Sequence, residues 1–256
     1  MTDLVTQDPR VNALADEIGF PLIFATVSGA HLYGFASADS DVDLRGCHVR
    51  PTGDYLGLEE PVETIEVGGI RDGLEADLVA HDVRKFMRLM LKKNGYVLEQ
   101  LYSPLIVRTS PVHEEMKAIG RDCITRFHGH HYLGFAATQW KLFRKEDPPR
   151  VKPLLYTYRV LLTGIHLVRT GEVEANLPRL NEQFRLSFVD DLIALKRGGA
   201  EKETLPAADL AFHEREVERL TADLGRAMDK SSLPEIATGR AALDDLLRRV
   251  RTAGIG

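Results

Sequence analysis

Asp41 and Asp43 stand two residues apart in Ser40-Asp41-Val42-Asp43-Leu44-Arg45-Gly46. On a strand that spacing turns both carboxylates to one face and sends Val42 and Leu44 to the other, toward a core. Like charges held so close repel unless a cation sits between them. Hard divalent cations favour such oxygens, and Mg²⁺ pairs one or two protein carboxylates with substrate phosphates. A two-ion arrangement needs a third carboxylate. Asp77 is the candidate, in a strand pattern from Leu74 to Ala80 whose Ala76, Leu78 and Ala80 take the opposite face. Glu75 shares Asp77's face and is the fallback. Upstream, Gly29 in Ser28-Gly29-Ala30-His31 lets the backbone approach an anion closely, and a helix starting near Ala30 offers free N–H groups to phosphate. An isolated Asp-x-Asp is common, and Asp39 and Asp41 also suit a turn. The weight lies in the order: apolar strand, Gly turn, short gap, Asp-x-Asp strand, later strand Asp.

The elements that must position these residues read as strands first and helices afterwards. Residues 9–19 carry Val11, Leu14, Ala15 and Ile18 at helical spacing. Pro21 to Val27 is a short apolar run, a buried strand, and Ser28 to Ser40 suits a turn with a short helix. Val42 to Val49 alternates as a half-buried strand, and Glu63 to Val67 and Glu75 to Ala80 follow it, separated by Gly68-Gly69 and Asp72-Gly73. From Val83 the period becomes helical through Phe86, Met87, Met90 and Leu91, with Asn94-Gly95 as its stop. Pro104 to Val107 makes one more short strand. Helices are predicted near 111–126, 131–145, 153–170, 187–197, 206–228 and 235–252, punctuated by Pro148-Pro149, Gly171, Gly198-Gly199 and Pro234. Strands and helices in separate blocks argue for an α+β protein, with a sheet domain over residues 1–110 and a helical bundle over 111–256.

Charge follows the same division. Of the 33 Lys plus Arg and 38 Asp plus Glu, residues 1–83 hold four basic against sixteen acidic, and residues 84–170 hold sixteen against six. An acidic first third beside a basic middle fits a cation-binding site next to an anion-binding one, or chance clustering of solvated charge. Apolar content of 44% with 28% charged residues is that of a globular protein and excludes collagen-like and wholly disordered classes. No apolar run reaches the roughly 20 residues of a membrane span. The first residues lack a signal-peptide pattern, and two cysteines are too few for a stapled secreted fold, so a cytoplasmic protein with no membrane partner is expected. Cys47 and Cys123 read as plain buried thiols.

The combined motif resembles the polymerase-beta-type nucleotidyltransferase superfamily. Within it the chain is similar to the predicted nucleotidyltransferases of the RNA repair pathway DNA polymerase beta family. The residues that carry the likeness are Ser28-Gly29-Ala30-His31-Leu32-Tyr33-Gly34, then Ser40 to Gly46, Arg84-Lys85-Phe86, Asn94, and Glu99-Gln100-Leu101-Tyr102-Ser103-Pro104. They cover about residues 20–106; the helices around Lys152 to Gly171 match more loosely. The resemblance implies a nucleotidyltransferase fold, a mixed sheet with flanking helices, ahead of the helical bundle. It implies an NTP donor and Mg²⁺ or Mn²⁺ held by Asp41, Asp43 and Asp77, with in-line attack on the α-phosphate and release of pyrophosphate. Ser28, Gly29, His31, Ser40, Arg45 and Lys85 fall where the nucleotide is expected. The departure is Ala30, where the family has a turn serine, with His31 in place of the following arginine.

Several of these residues have two readings. Lys85 is a phosphate contact or a solvated helix-face lysine; Arg45 meets nucleotide or pairs with a carboxylate; His31 touches phosphate or caps the helix. Asn94 and Glu99 read as a helix stop and a fold contact. The stretch 121–170 interleaves basic and aromatic residues, as a single-strand grip would, although the aromatics also suit a bundle core. Arg144, Lys145, Arg150 and Lys152 flank Pro148-Pro149 and are the favoured acceptor or anion contacts. His128-Gly129-His130-His131 lacks zinc-site spacing. The favoured acceptor is an RNA end. The alternatives are AMP transfer to a protein or small molecule, and a non-catalytic nucleotide- or RNA-binding module.

Overall fold

The computed structural model describes residues 2–198 and 210–255. The chain divides by contact into two units, one built from Met1–Leu32, Asp41–Cys123 and Ile236–Gly256, the other from Tyr33–Ser40 and Ile124–Glu235.

The first unit is a five-stranded mixed sheet with helices. Its strands are β1 (Leu22–Val27), β2 (Val42–His48), β3 (Thr64–Arg71), β4 (Leu74–Asp82) and β5 (Ile106–Arg108). They lie in the order β3-β4-β2-β1-β5. β2 and β4 run parallel; the other neighbours are antiparallel. β1 is buried along nearly its whole length, which is why its sequence is an apolar run broken only by Thr26 rather than an alternation. From Ala76 to Asp82, β4 alternates between buried and half-exposed positions.

Helix α1 (Thr2–Gln7) was not anticipated, and the predicted 9–19 helix is the shorter α2 (Pro9–Asp16), capped by the Asp8 side chain on the Arg10 N–H. α3 (Gly29–Tyr33) is a little over one turn. α4 (Val83–Leu91) is capped by Asp82 on the Arg84 N–H. It buries Phe86 and Met90 with Phe24 and Cys47 of the sheet and Leu246 of α12 (Arg240–Ala253). The stop of α4 differs from the expected Asn94-Gly95. Lys93 takes the left-handed conformation (φ 61°), and Asn94 instead caps a second helix, α5 (Gly95–Leu101), by accepting from the Tyr96 N–H. Asn suits either role, and local sequence does not distinguish a stop from a cap when two helices follow closely. α6 (Pro111–Arg121) completes this unit.

The second unit is helical. α7 (Gly129–Lys145), α9 (Leu177–Phe184), α10 (Val189–Gly198) and α11 (Leu210–Lys230) surround α8 (Val151–Thr170), whose residues are buried on every side over most of its length. A helix apolar all round is a central helix. α9 was missed because Pro178 and the short apolar pattern around Leu177 and Leu180 resemble a loop. The start predicted for α11, residues 206–209, and Gly199 lie outside the described residues. Among the described residues no helix is long and apolar enough to cross a membrane.

Candidate active site

The site is built where β1 ends beside β2. The Ser28 N–H donates to the Asp43 carbonyl at 2.7 Å, closing the turn after β1. Gly29 follows with φ 60°, and a Cβ there would lie 1.9 Å from Asp43 Oδ2. Both the conformation and the space therefore demand glycine. Ser28 is fully buried, and its hydroxyl has no hydrogen-bond partner among the described residues. His31 lies half-buried on α3 and Ala30 is buried.

Parallel pairing of β2 with β4 sets Asp43 directly opposite Asp77. Period-2 alternation puts both carboxylates on one face while Val42, Leu44, Ala76 and Leu78 are buried on the other. Between the carboxylates lies Arg45, two residues beyond Asp43. Its Nη2 donates to Asp43 Oδ1 at 2.9 Å and its Nη1 to Asp77 Oδ2 at 2.8 Å. Its Nε donates to the Tyr96 hydroxyl at 2.8 Å, and Nη1 also reaches the Leu44 carbonyl at 2.6 Å. Burial pushes the Asp43 carboxyl up from its ordinary pKa, Arg45 pulls it down and Asp77 pushes it up again, for a net rise. Burial works against the Arg45 charge, but Tyr96, Asp43 and Asp77 together hold it more firmly protonated than usual. Of the two readings of Arg45, the carboxylate partnership is the one observed.

Asp41 is exposed and precedes β2, so it does not share the strand face with Asp43. Among the described residues no three His, Cys, Asp or Glu side chains converge as a metal-ligand set, so Asp41 is not assembled with Asp43 and Asp77. Glu75, the fallback, is exposed. Lys85 is not a free helix-face lysine: its Nζ donates to the Thr64 hydroxyl, which also meets His81 Nδ1 at 3.0 Å. His81 falls on the Asp77 face of β4, four residues on, and sequence reasoning missed it; the alternation of β4 was the available signal. Burial, then the Lys85 and Arg45 charges, depress its pKa to about 4.

The remaining predicted residues belong to the helical unit. The Ser40 hydroxyl accepts from Lys196 Nζ at 3.2 Å and lies 3.1 Å from the Ser37 hydroxyl. Lys196, buried on α10, also donates to Ser37 Oγ at 2.6 Å. Arg144 is ion-paired with Glu214 and Arg150 with Glu146; Lys145 is exposed and Lys152 half-buried. Tyr132, Phe143 and Tyr158 are fully buried, as the bundle-core reading expected. His128 is buried, its Nδ1 within hydrogen-bond distance of the Thr125 N–H at 3.1 Å, and takes part in a capping box. Cys47 and Cys123 are free and buried, and burial pushes the Cys123 thiol up to about 11.

Residues 5–249 match the family described as RlaP, the RNA repair pathway DNA polymerase beta family. The chain belongs to that family. This RNA repair polymerase beta family membership makes it a nucleotidyltransferase of the polymerase-beta type. Among curated proteins it is 33% identical over 160 residues to the uncharacterized protein MJ0002 of Methanocaldococcus jannaschii, covering 60% of this chain and 63% of that one. It is 25% identical over 221 residues to the uncharacterized protein YcgL of Bacillus subtilis, covering 82% and 84%. Among solved structures it is similar to a nucleotidyltransferase-like protein from Exiguobacterium sibiricum, at 13% identity and a TM-score of 0.34, covering 88% of this chain and 74% of that one.

Proposed function

We propose that the protein transfers a nucleoside monophosphate from an NTP to an acceptor hydroxyl, with an RNA end as acceptor, and releases pyrophosphate. The observation that carries this reading is the in-register Asp43–Asp77 pair packed against the Gly29 turn. The family description, with its RNA repair pathway, supports the acceptor.

The residues fit a divalent cation. Two carboxylates face one another, and the group now between them is itself a cation, the Arg45 guanidinium. Two protein carboxylates completed by substrate phosphates is how Mg²⁺ is commonly held, and Mn²⁺ shares that preference. Asp43 and Asp77 would hold the ion, and Asp41 joins them only if the strand start shifts. Bound there, Mg²⁺ or Mn²⁺ supplies charge neutralisation at the α-phosphate and lowers the pKa of the attacking hydroxyl.

The protein's own part is positioning. The Ser28–Gly29 turn brings backbone close to the triphosphate, with the partnerless Ser28 hydroxyl available as a donor in place of the serine lost at position 30. His31 and Lys85, of the same unit, are the further nucleotide contacts. The acceptor oxygen attacks the α-phosphorus, the bond to the β-phosphate oxygen breaks, and pyrophosphate leaves. Asp77, the more exposed carboxylate, takes the hydroxyl proton. Positioning and charge stabilisation supply most of the acceleration in such transfers.

The second reading, AMP transfer to a protein or small molecule, is favoured by the ion pairs that compensate Arg144 and Arg150. Incubation with each labelled NTP, Mg²⁺ or Mn²⁺, and total RNA or cell lysate separates the two. Label in RNA supports the first reading and label in protein or small molecules the second. No incorporation under any condition overturns both in favour of a binding module.

A further inference from the structure

We propose that Arg45 is a resident counter-cation that must give up the Asp43–Asp77 pair before a divalent cation enters, which makes it a positioning residue that sets metal affinity. The inference rests on the proposed metal-dependent reading of this site and goes beyond it.

Four observations converge on Arg45. Its guanidinium donates to both carboxylates at once, one through each terminal nitrogen. Its side chain is only 15% exposed, whereas Asp77 is 46% and Asp43 30% exposed. The arginine thus bridges the pair from within the protein, and the open side of the carboxylates faces solvent. The guanidinium is anchored independently of the carboxylates, by the Tyr96 hydroxyl on Nε and the Leu44 carbonyl on Nη1. Those anchors give it somewhere to remain when the carboxylate bonds are released. Finally, the Asp43 carboxylate has little room to retreat. Asp43 Oδ2 is packed against Gly29, and the β2–β4 register holds Asp77 opposite.

Two carboxylates so placed need a cation at all times. Without one they repel, and with Arg45 between them they are neutralised only in part. A divalent ion adds the missing charge but competes for the same oxygen atoms. A site that is open for a fraction of the time weakens apparent affinity by that fraction; bridging for about nine-tenths of the time costs about tenfold. Arg45 thus acts on metal affinity through Asp43 and Asp77, and Tyr96 acts through Arg45.

Mn²⁺ binding, read by electron paramagnetic resonance on the full chain without nucleotide, tests this together with thermal melting. Arg45→Gln is expected to bind Mn²⁺ about tenfold more tightly than the unaltered protein. It is also expected to melt lower without metal and to recover more on Mn²⁺ addition. Arg45→Lys, which reaches one carboxylate at a time, and Tyr96→Phe, which loosens the anchor, are expected to tighten Mn²⁺ by smaller factors. These two carry the test if Arg45→Gln does not fold. Asp43→Asn should lose Mn²⁺. Unchanged or weaker Mn²⁺ binding in the folded Arg45 variants overturns the proposal while leaving the metal reading intact. No Mn²⁺ binding by any of these proteins, the unaltered one included, overturns both.

Discussion

Gly29 and Asp43 depend on one another more closely than any other residues of the site. A methyl group at position 29 would sit 1.9 Å from Asp43 Oδ2, and φ of 60° disfavours any L side chain. Gly29→Ala is expected to cost about 1–3 kcal/mol, read from urea unfolding midpoints, and to displace the carboxylate on which the proposed transfer depends. Asp43→Ala removes that carboxylate outright. It should lower Mg²⁺-dependent nucleotide incorporation by about 10³-fold while leaving the circular dichroism spectrum unchanged. Incorporation at the unaltered rate would remove Asp43 from the chemistry. At this scale the sequence was legible in part: the glycine turn and Asp43 stand beside one another, whereas Asp41, the other half of the Asp-x-Asp pair, lies outside the strand. Arg45 was legible only as two alternatives, because a guanidinium two residues from a carboxylate serves substrate or carboxylate equally well until the neighbouring strand is known.

Elements are joined by contacts that span long stretches of sequence. The Asp82 side chain is fully buried at the end of β4, caps α4 through the Arg84 N–H, and pairs with Arg251 of α12 at 2.5 Å. Burial alone would raise the Asp82 pKa. The hydrogen bonds to its charged form, with Arg251 among the donors, outweigh that and leave it below the ordinary value of 3.8. A lowered folded pKa means stability that is complete above the unfolded value and lost as pH falls through the folded one, so this clasp weakens only in acid below about pH 4. Arg251→Ala leaves a buried carboxylate without its cation. It is expected to cost about 3–5 kcal/mol at pH 7, read by chemical denaturation, and a loss under 1 kcal/mol would show that α12 is held by its apolar face alone. α12 itself was legible from periodicity, but its partner was not: 169 residues separate the two charges.

For the whole molecule, the histidines set the response to mild acid. His48 is fully buried, its ring nitrogens without hydrogen-bond partners among the described residues, and burial depresses its pKa to about 4. His81 is depressed to a similar value, and His113 and His131 are lowered as well, all chiefly by burial. With folded values below the unfolded 6.5, the unfolded chain binds more protons across the interval between them. Stability is then complete above about pH 6.5 and falls as pH drops toward 4, by up to about 1.4 kcal/mol per pH unit for each of His48 and His81. Urea midpoints measured from pH 7.5 to 4.5 should follow that slope, and His48→Phe should remove about one group's worth. An unchanged slope in that variant would mean His48 is not the neutral histidine described.

The sequence by itself determined most elements and put forward the candidate residues, because strand alternation, helical period, caps and turns are written within a few residues of where they act. It located β1, β2, β4, α4 and the central α8, and it named Asp43, Asp77 and Gly29. Only the tertiary structure decided who faces whom. The β2–β4 register set Asp43 opposite Asp77, 34 positions apart in the parallel pairing. It also left Asp41 outside the strand and drew Arg45 between the two carboxylates. Glu214 neutralises Arg144 from 70 residues away, so the basic middle of the sequence is less basic than its count. Charge and coordination act across space, and the short-range patterns that specify elements carry no information about which elements will meet.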